Sequence, residues 1–220
     1  MRYLFVLLSL LNICGEKLSA QIIDADLLKI KHRMDSIQRF TVNLKLDVDI
    51  SFINMPTKHA GMTYVKGEPA KYSSDDFVMI PKRGLDFTLD NIFEYPIITI
   101  ERGTEIRNGE QYKAINVIPT DKRADFSIAT LLLDTLNQRV AESEINTRKD
   151  GTYILVMKYE NVLMLLPNMV EVNFEIERIK IPLNFMGKDT DIDRKKMRAE
   201  GMKTGKIFLQ LSNYQIKKIK

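Results

Sequence analysis

The stretch FTVNLKLDVDISF, residues 40–52, decides the fold. Its apolar residues Phe40, Val42, Leu44, Leu46, Val48, Ile50 and Phe52 alternate without a break with Thr41, Asn43, Lys45, Asp47, Asp49 and Ser51. Side chains on a strand point alternately to opposite faces, so a period of two puts one face in an apolar interior and the other in water. A helix would scatter the same groups around its axis. A strand this long, roughly 43 Å at ~3.3 Å per residue, is about twice the usual length and needs a large, curved antiparallel sheet around it.

Upstream of the strand the period changes. Leu27, Ile30, Met34 and Ile37 recur at helical spacing, which predicts an amphipathic helix over residues 24–38 with Asp24 as its cap. Downstream, Met55-Pro56 ends the strand, Ala60, Met62 and Tyr64 alternate in a second one, Lys66-Gly67-Glu68-Pro69 turns, and residues 71–80 form a third. Pro81 to Gly84 is a break. Asn108-Gly109 marks a hairpin over 97–118, residues 128–133 read as a strand, and Asp150-Gly151 closes a hairpin between 139–147 and 153–159. After Pro167 the residues Val170, Val172, Phe174 and Ile176 share one face. The phase then slips to Ile179, Ile181, Leu183 and Phe185, which predicts a β-bulge near Glu177-Arg178. Residues 187–206 are polar and predict a mobile loop with a turn or two of helix after Asp191. Ile207, Leu209 and Leu211 form a last strand that ends near Tyr214, before a basic tail.

The N-terminus reads as a secretory signal: Arg2 is followed by a short apolar run from Tyr3 to Cys14, and Leu18-Ser19-Ala20 offers a cleavage site before Gln21. Residues 1–20 are thus expected to be a signal peptide and 21–220 a single domain in an exported protein. Cys14 is the only cysteine, so the mature chain carries no disulfide. The alternative, a lipoprotein anchored at Cys14, fits poorly because Leu11-Asn12-Ile13 lacks the small residues wanted before such a cysteine. No later segment is long enough to span a bilayer as a helix. Net charge is +4 with no basic stripe, which gives no footprint for nucleic acid.

Chemistry is sparse. His32 falls on the polar arc of the helix and His59 near a strand start, and both read as surface residues. There is no paired His and Cys spacing for zinc, no glycine-rich phosphate loop and no nucleophile elbow. Asp47 with Asp49, and Asp75 with Asp76, read as solvated charge. The expectation is a non-enzymatic protein without metal or cofactor. What remains is apolar surface on curved strands: one substantial helix serves ten or so strands, and a second sheet, the chain's own helices or a ligand must cover the rest.

In the order of its parts the chain resembles the LolA/LolB-like periplasmic lipoprotein carriers. The likeness rests on a helix leading into a very long alternating strand, a meander containing YVKGEPAKY, the strand VEVNFEIERIKIP and the terminal strand GKIFLQLSNYQI. The resemblance implies a mainly β (α+β) fold, a curved antiparallel sheet forming an unclosed half-barrel of about eleven strands under a helical lid. It implies a monomeric carrier of lipid or lipoprotein acyl chains toward the outer membrane, with a membrane-protein donor or acceptor. The alternative on the same fold is a periplasmic sensor or scaffold that binds a protein. The expected cavity lining is Leu44, Leu46, Val48, Ile50, Phe52, Met62 and Tyr64, and the expected lid residues are Leu27, Ile30, Met34 and Ile37. The carriers gate their lid with a cavity arginine, to which no arginine of this sequence can be matched.

Overall fold

The computed structural model describes residues 23–74, 89–177 and 189–219. The signal segment expected over 1–20 with Cys14, the second half of the strand expected over 71–80 with the break that follows it, and residues 178–188, which hold Arg178 of the expected bulge and the apolar phase after it, lie outside them.

Asp24 opens the first helix, α1 (Ala25–Asp35), its carboxylate accepting from the backbone N–H groups of Asp26 and Leu27 at 2.9 and 3.1 Å. Two donors left bare at a helix start are thereby satisfied. The helix stops at Ser36, and strand β1 (Ile37–Asp49) follows at once. Ile37, expected on the lid helix, is therefore a strand residue. Ladder partners outcompete the helix there, since Ile37 pairs with Lys218 and the Lys66 N–H reaches the Gln38 carbonyl at 3.0 Å. At the other end β1 stops three residues short of Phe52. Ile50 bridges to Ile53, with Phe52 in the turn between them, and β2 (Ile53–Asn54) follows.

Ten strands form one antiparallel sheet. After β1 come β3 (Lys58–Val65), β4 (Lys71–Ser73), β5 (Ile97–Arg107), β6 (Glu110–Pro119), β7 (Phe126–Asp134), β8 (Arg139–Thr147), β9 (Thr152–Lys158), β10 (Met169–Ile176) and, after the short β11 (Asp191–Ile192), β12 (Lys203–Lys218). Their order is β4-β3-β1-β12-β10-β9-β8-β7-β6-β5. The edges β4 and β5 do not meet, so the barrel is unclosed, and the described strands are not two stacked sheets. A separate ribbon pairs β2 with β11, next to the short helix α2 (Arg194–Arg198).

Both predicted hairpins are present, with Asn108, Gly109 and Gly151 at positive φ. Two boundaries differ from expectation. The polar loop is shorter, because Lys203 to Lys206 already belong to β12, and β12 runs on through the basic tail to Lys218. The reason is the partners: β10 pairs with β12 from Lys203 onward, and β1, which begins at Ile37, offers a ladder to residues 206–218, whatever their polarity.

The apolar faces of the strands form one core. Phe40, Val42, Leu44 and Leu46 of β1 join Ile115 and Val117 of β6, Leu131 and Leu133 of β7, Val170 and Val172 of β10, and Ile207 and Leu209 of β12. Leu27 and Ile30 of α1 are fully buried against this face, and Leu89, Ile92, Leu165 and Leu166 come onto it from loops.

Candidate functional site

The concave face with α1 lying on it is the candidate site. Of the expected lining residues, Leu44, Leu46 and Met62 are buried on strands of this face. Ile50 and Phe52 are buried as well, although they lie past the end of β1, and Val48 is half-buried. Tyr64 stacks on Phe40 with ring centroids 5.0 Å apart and donates its hydroxyl to Asp90 at 2.8 Å. Met34, Ile37, Phe40 and Tyr64, with Asp35 and Asp90, line a crevice between the helix and the sheet that is too narrow to admit a water molecule. Residues expected of the lid and of the lining thus meet there.

Only Leu27 and Ile30 of α1 are wholly buried, with Met34 packed partly against them. At roughly 1.5–3 kcal/mol per buried aliphatic side chain, the two contribute about 3–6 kcal/mol of apolar hold. The rest of the helix is attached by polar groups. At its N-terminus Lys113 of β6 lies 2.7 Å from Asp24 and 3.0 Å from Asp26, and the Asp24 N–H donates to Thr99 Oγ1 of β5 at 2.7 Å. At its C-terminus Lys31 and Lys66 both pair with Asp35. Arg33 donates to the carbonyls of Asn137, Gln138 and Leu163.

These partners set the titration of the clasp. Hydrogen bonds from Lys29 and then Lys113 hold the Asp26 carboxyl below its usual range. Burial alone would raise Asp35, but hydrogen bonds from Lys31 and Lys66 outweigh it and the net direction is down. The hydrogen bond to Asp24, followed by that to Asp26, raises Lys113 against the opposing effect of burial.

Sequence reasoning missed Lys113, and also Lys58 and Lys203, which are buried on the same face as the apolar residues. A signal was available. Lys58 is in phase with Ala60, Met62 and Tyr64, Lys113 with Ile115 and Val117, and Lys203 with Ile207 and Leu209. A lysine at an inward position of an alternating strand needs a partner. Lys58 finds Asp189, and Lys203 donates to the Ala199 carbonyl at 2.6 Å. Arg139 at the start of β8 is mostly buried as well. It bonds Asp134 at 2.9 Å and lies over the Tyr159 ring at 4.3 Å.

His32 and His59 are exposed, and no group of three or more metal-binding side chains occurs among the described residues. On the opposite, polar face an open groove of about 650 Å³ runs past Asp49, Glu144, Asn173, Glu175 and Lys206.

No protein-family model matches this sequence, and no curated protein matches it by sequence. Among solved structures, it superposes on a domain from Vibrio parahaemolyticus assigned to outer membrane lipoprotein sorting. The TM-score is 0.50 over 86% of this chain and 91% of that one, at 10% identity. It is similar also to a LolA superfamily protein from Nitrosomonas europaea, with TM-score 0.49, 11% identity and 88% and 94% of the two chains covered. A DUF1329 family protein from Desulfovibrio piger gives TM-score 0.48 at 10% identity over 87% and 92%.

Proposed function

Since this chain has a LolA-like fold, an unclosed half-barrel with α1 across its apolar face, we propose that it is an exported, periplasmic carrier that holds the acyl chains of lipids or lipoproteins against that face. The observation that carries the reading is the way α1 is attached. Its apolar hold rests on Leu27 and Ile30, while its ends are fastened by groups that water can solvate once the helix lifts. At ~0.8 kcal/mol per methylene removed from water, about four to eight methylenes of an acyl chain would replace what those two side chains contribute. Cargo and lid are then closely matched competitors for one surface, and matched competitors exchange. The cargo lies along Leu44, Leu46, Val48, Ile50, Phe52, Met62 and Tyr64, and Leu27, Ile30 and Met34 stand in for it when the carrier is empty.

A reversible lock tests this. The Asp24 backbone touches the Thr99 side chain, so Asp24→Cys with Thr99→Cys in a chain starting at Gln21 brings two thiols within disulfide reach. The oxidised protein should refuse a fluorescent fatty acid, and reduction should restore uptake. Equal uptake by the oxidised and reduced forms would end the carrier reading. So would native mass spectrometry of protein from its own periplasm that finds no lipid bound, the result a sensor or scaffold would give.

A further inference from the structure

The described residues leave ten large apolar side chains exposed, and six of them lie at one end of the sheet. Ile106 is beside the β5–β6 tip, Leu136 at the β7–β8 tip and Val162 and Leu163 at the β9–β10 tip, while Ile216 and Ile219 are at the end of β12. Leu136 is 93% exposed, Leu163 84% and Val162 60%. This is also the end that α1 covers, since Arg33 reaches both of the middle tips.

Those two tips are braced. Within the β7–β8 turn, Asp134 accepts from the Asn137 backbone at 3.0 Å, from its side-chain amide at 2.7 Å and from Arg139 at 2.9 Å. In the β9–β10 loop the Leu163 N–H donates to Asn161 Oδ1 at 3.0 Å. Two guanidinium groups then join the loops. Arg139 donates to the Asn161 carbonyl at 3.0 Å, and Arg33 to the carbonyls of Gln138 at 3.3 Å and Leu163 at 3.4 Å. Leu136, Val162 and Leu163 are therefore held outward on a fixed platform, and burying them in a partner orders little that is not already ordered.

We propose that these cross-braced tips dock the protein onto an anionic lipid bilayer. Single aliphatic side chains projecting from convex turns suit a deformable apolar medium, whereas Leu and Val are under-represented among the residues that anchor protein–protein interfaces. Charge at the same strand ends is favourable: Arg107, Lys158, Lys217 and Lys218, with the Arg33 and Arg139 guanidiniums between the tips, outnumber Glu105, Glu110, Asp134 and Glu160. The inference goes beyond the carrier reading, because such a platform binds a membrane with or without cargo. Taken together with that reading, it puts the movable helix at the membrane surface.

The test is vesicle flotation of lipid-free protein with phosphatidylcholine–phosphatidylglycerol vesicles. Wild-type protein should float, and Leu136→Asp with Leu163→Asp should weaken binding by about a hundredfold, on the order of tenfold for each lost insertion. Ile100→Asp, a change at an exposed isoleucine on the outer face of β5, should bind as wild type does, and circular dichroism should report the same fold for all three. Wild-type protein that stays in the aqueous phase, as expected if the tips meet a protein instead, overturns the proposal. So does a doubly substituted chain that floats undiminished, or an Ile100→Asp chain that loses as much. None of these outcomes bears on uptake of a fatty acid in solution, so the two readings fail separately.

Discussion

The ammonium of Lys113 sits 2.7 Å from the carboxylate of Asp24 and 3.0 Å from that of Asp26, fastening the first turn of α1 to the sheet it covers. Lys113→Met should release that turn while leaving the core intact. Because the lysine side chain is only partly shielded, the stability lost is on the order of 0.5–1.5 kcal/mol. Amides 27–30 should exchange with deuterium faster, and a fluorescent fatty acid should enter faster. Unchanged exchange would show that Leu27 and Ile30 hold the helix unaided.

Acidity acts on the same contacts in a defined window. Asp26 and Asp35 ionise below the ordinary 3.8, so their stabilisation is complete above that value and is lost only as pH falls through their lowered folded values. Lys113 titrates above the ordinary 10.5, so its part is complete below that value and lost at still higher pH. NMR shifts of the Ala25 to Leu27 amides, more than a turn away from His32, should therefore stay flat between about pH 5 and 9 and move below about pH 4. Lid opening at pH 6 would need a titrating group other than these.

Lys58 is 1% exposed, lies opposite Leu46, and is paired with Asp189, whose carboxyl the Lys58 hydrogen bond holds below its usual range. Removing the acid strands a buried cation, whereas removing the cation leaves a carboxylate that is half in water. Asp189→Ala should lower the urea midpoint, and Lys58→Met should leave it unchanged or raise it. The reverse order would mean that Lys58 has another anionic partner.

Two glycines should rank clearly. A Cβ on Gly151, at φ 101°, would sit 2.2 Å from the Glu175 carbonyl oxygen, which is backbone and cannot step aside. On Gly205 it would meet Ile50 and Phe174 side-chain atoms at 2.7 Å, and these can turn. Gly151→Ala should cost more than about 2 kcal/mol and Gly205→Ala about 1–2 kcal/mol, measured by urea midpoint. A cost for Gly205→Ala above that for Gly151→Ala would show Ile50 and Phe174 to be fixed.

The parts of this fold that were legible in the sequence are those fixed by local chemistry. Phe40 to Val48 alternate because each residue answers to one face, and Asn108-Gly109 turns because both residues accept positive φ. The ends of elements were not legible, since partners set them. Ile37 continues the helical spacing of Leu27 and Ile30 yet joins the strand, and Lys217 and Lys218 look like a tail until β1 supplies their ladder. At the site, the apolar faces could be read and the clasp could not, because Asp24 and Lys113 are far apart in the chain and meet only when the sheet curves. The inward phase of Lys58 and Lys113 was the one trace they left.

β12 has a further consequence. It is the strand between β1 and β10, and without it the sheet separates into β4-β3-β1 on one side and β10 through β5 on the other. The sixteen residues of β12 are thus the keystone of the sheet: a substitution that blocks its ladder on either side parts the fold into two ribbons, each with an unpaired edge.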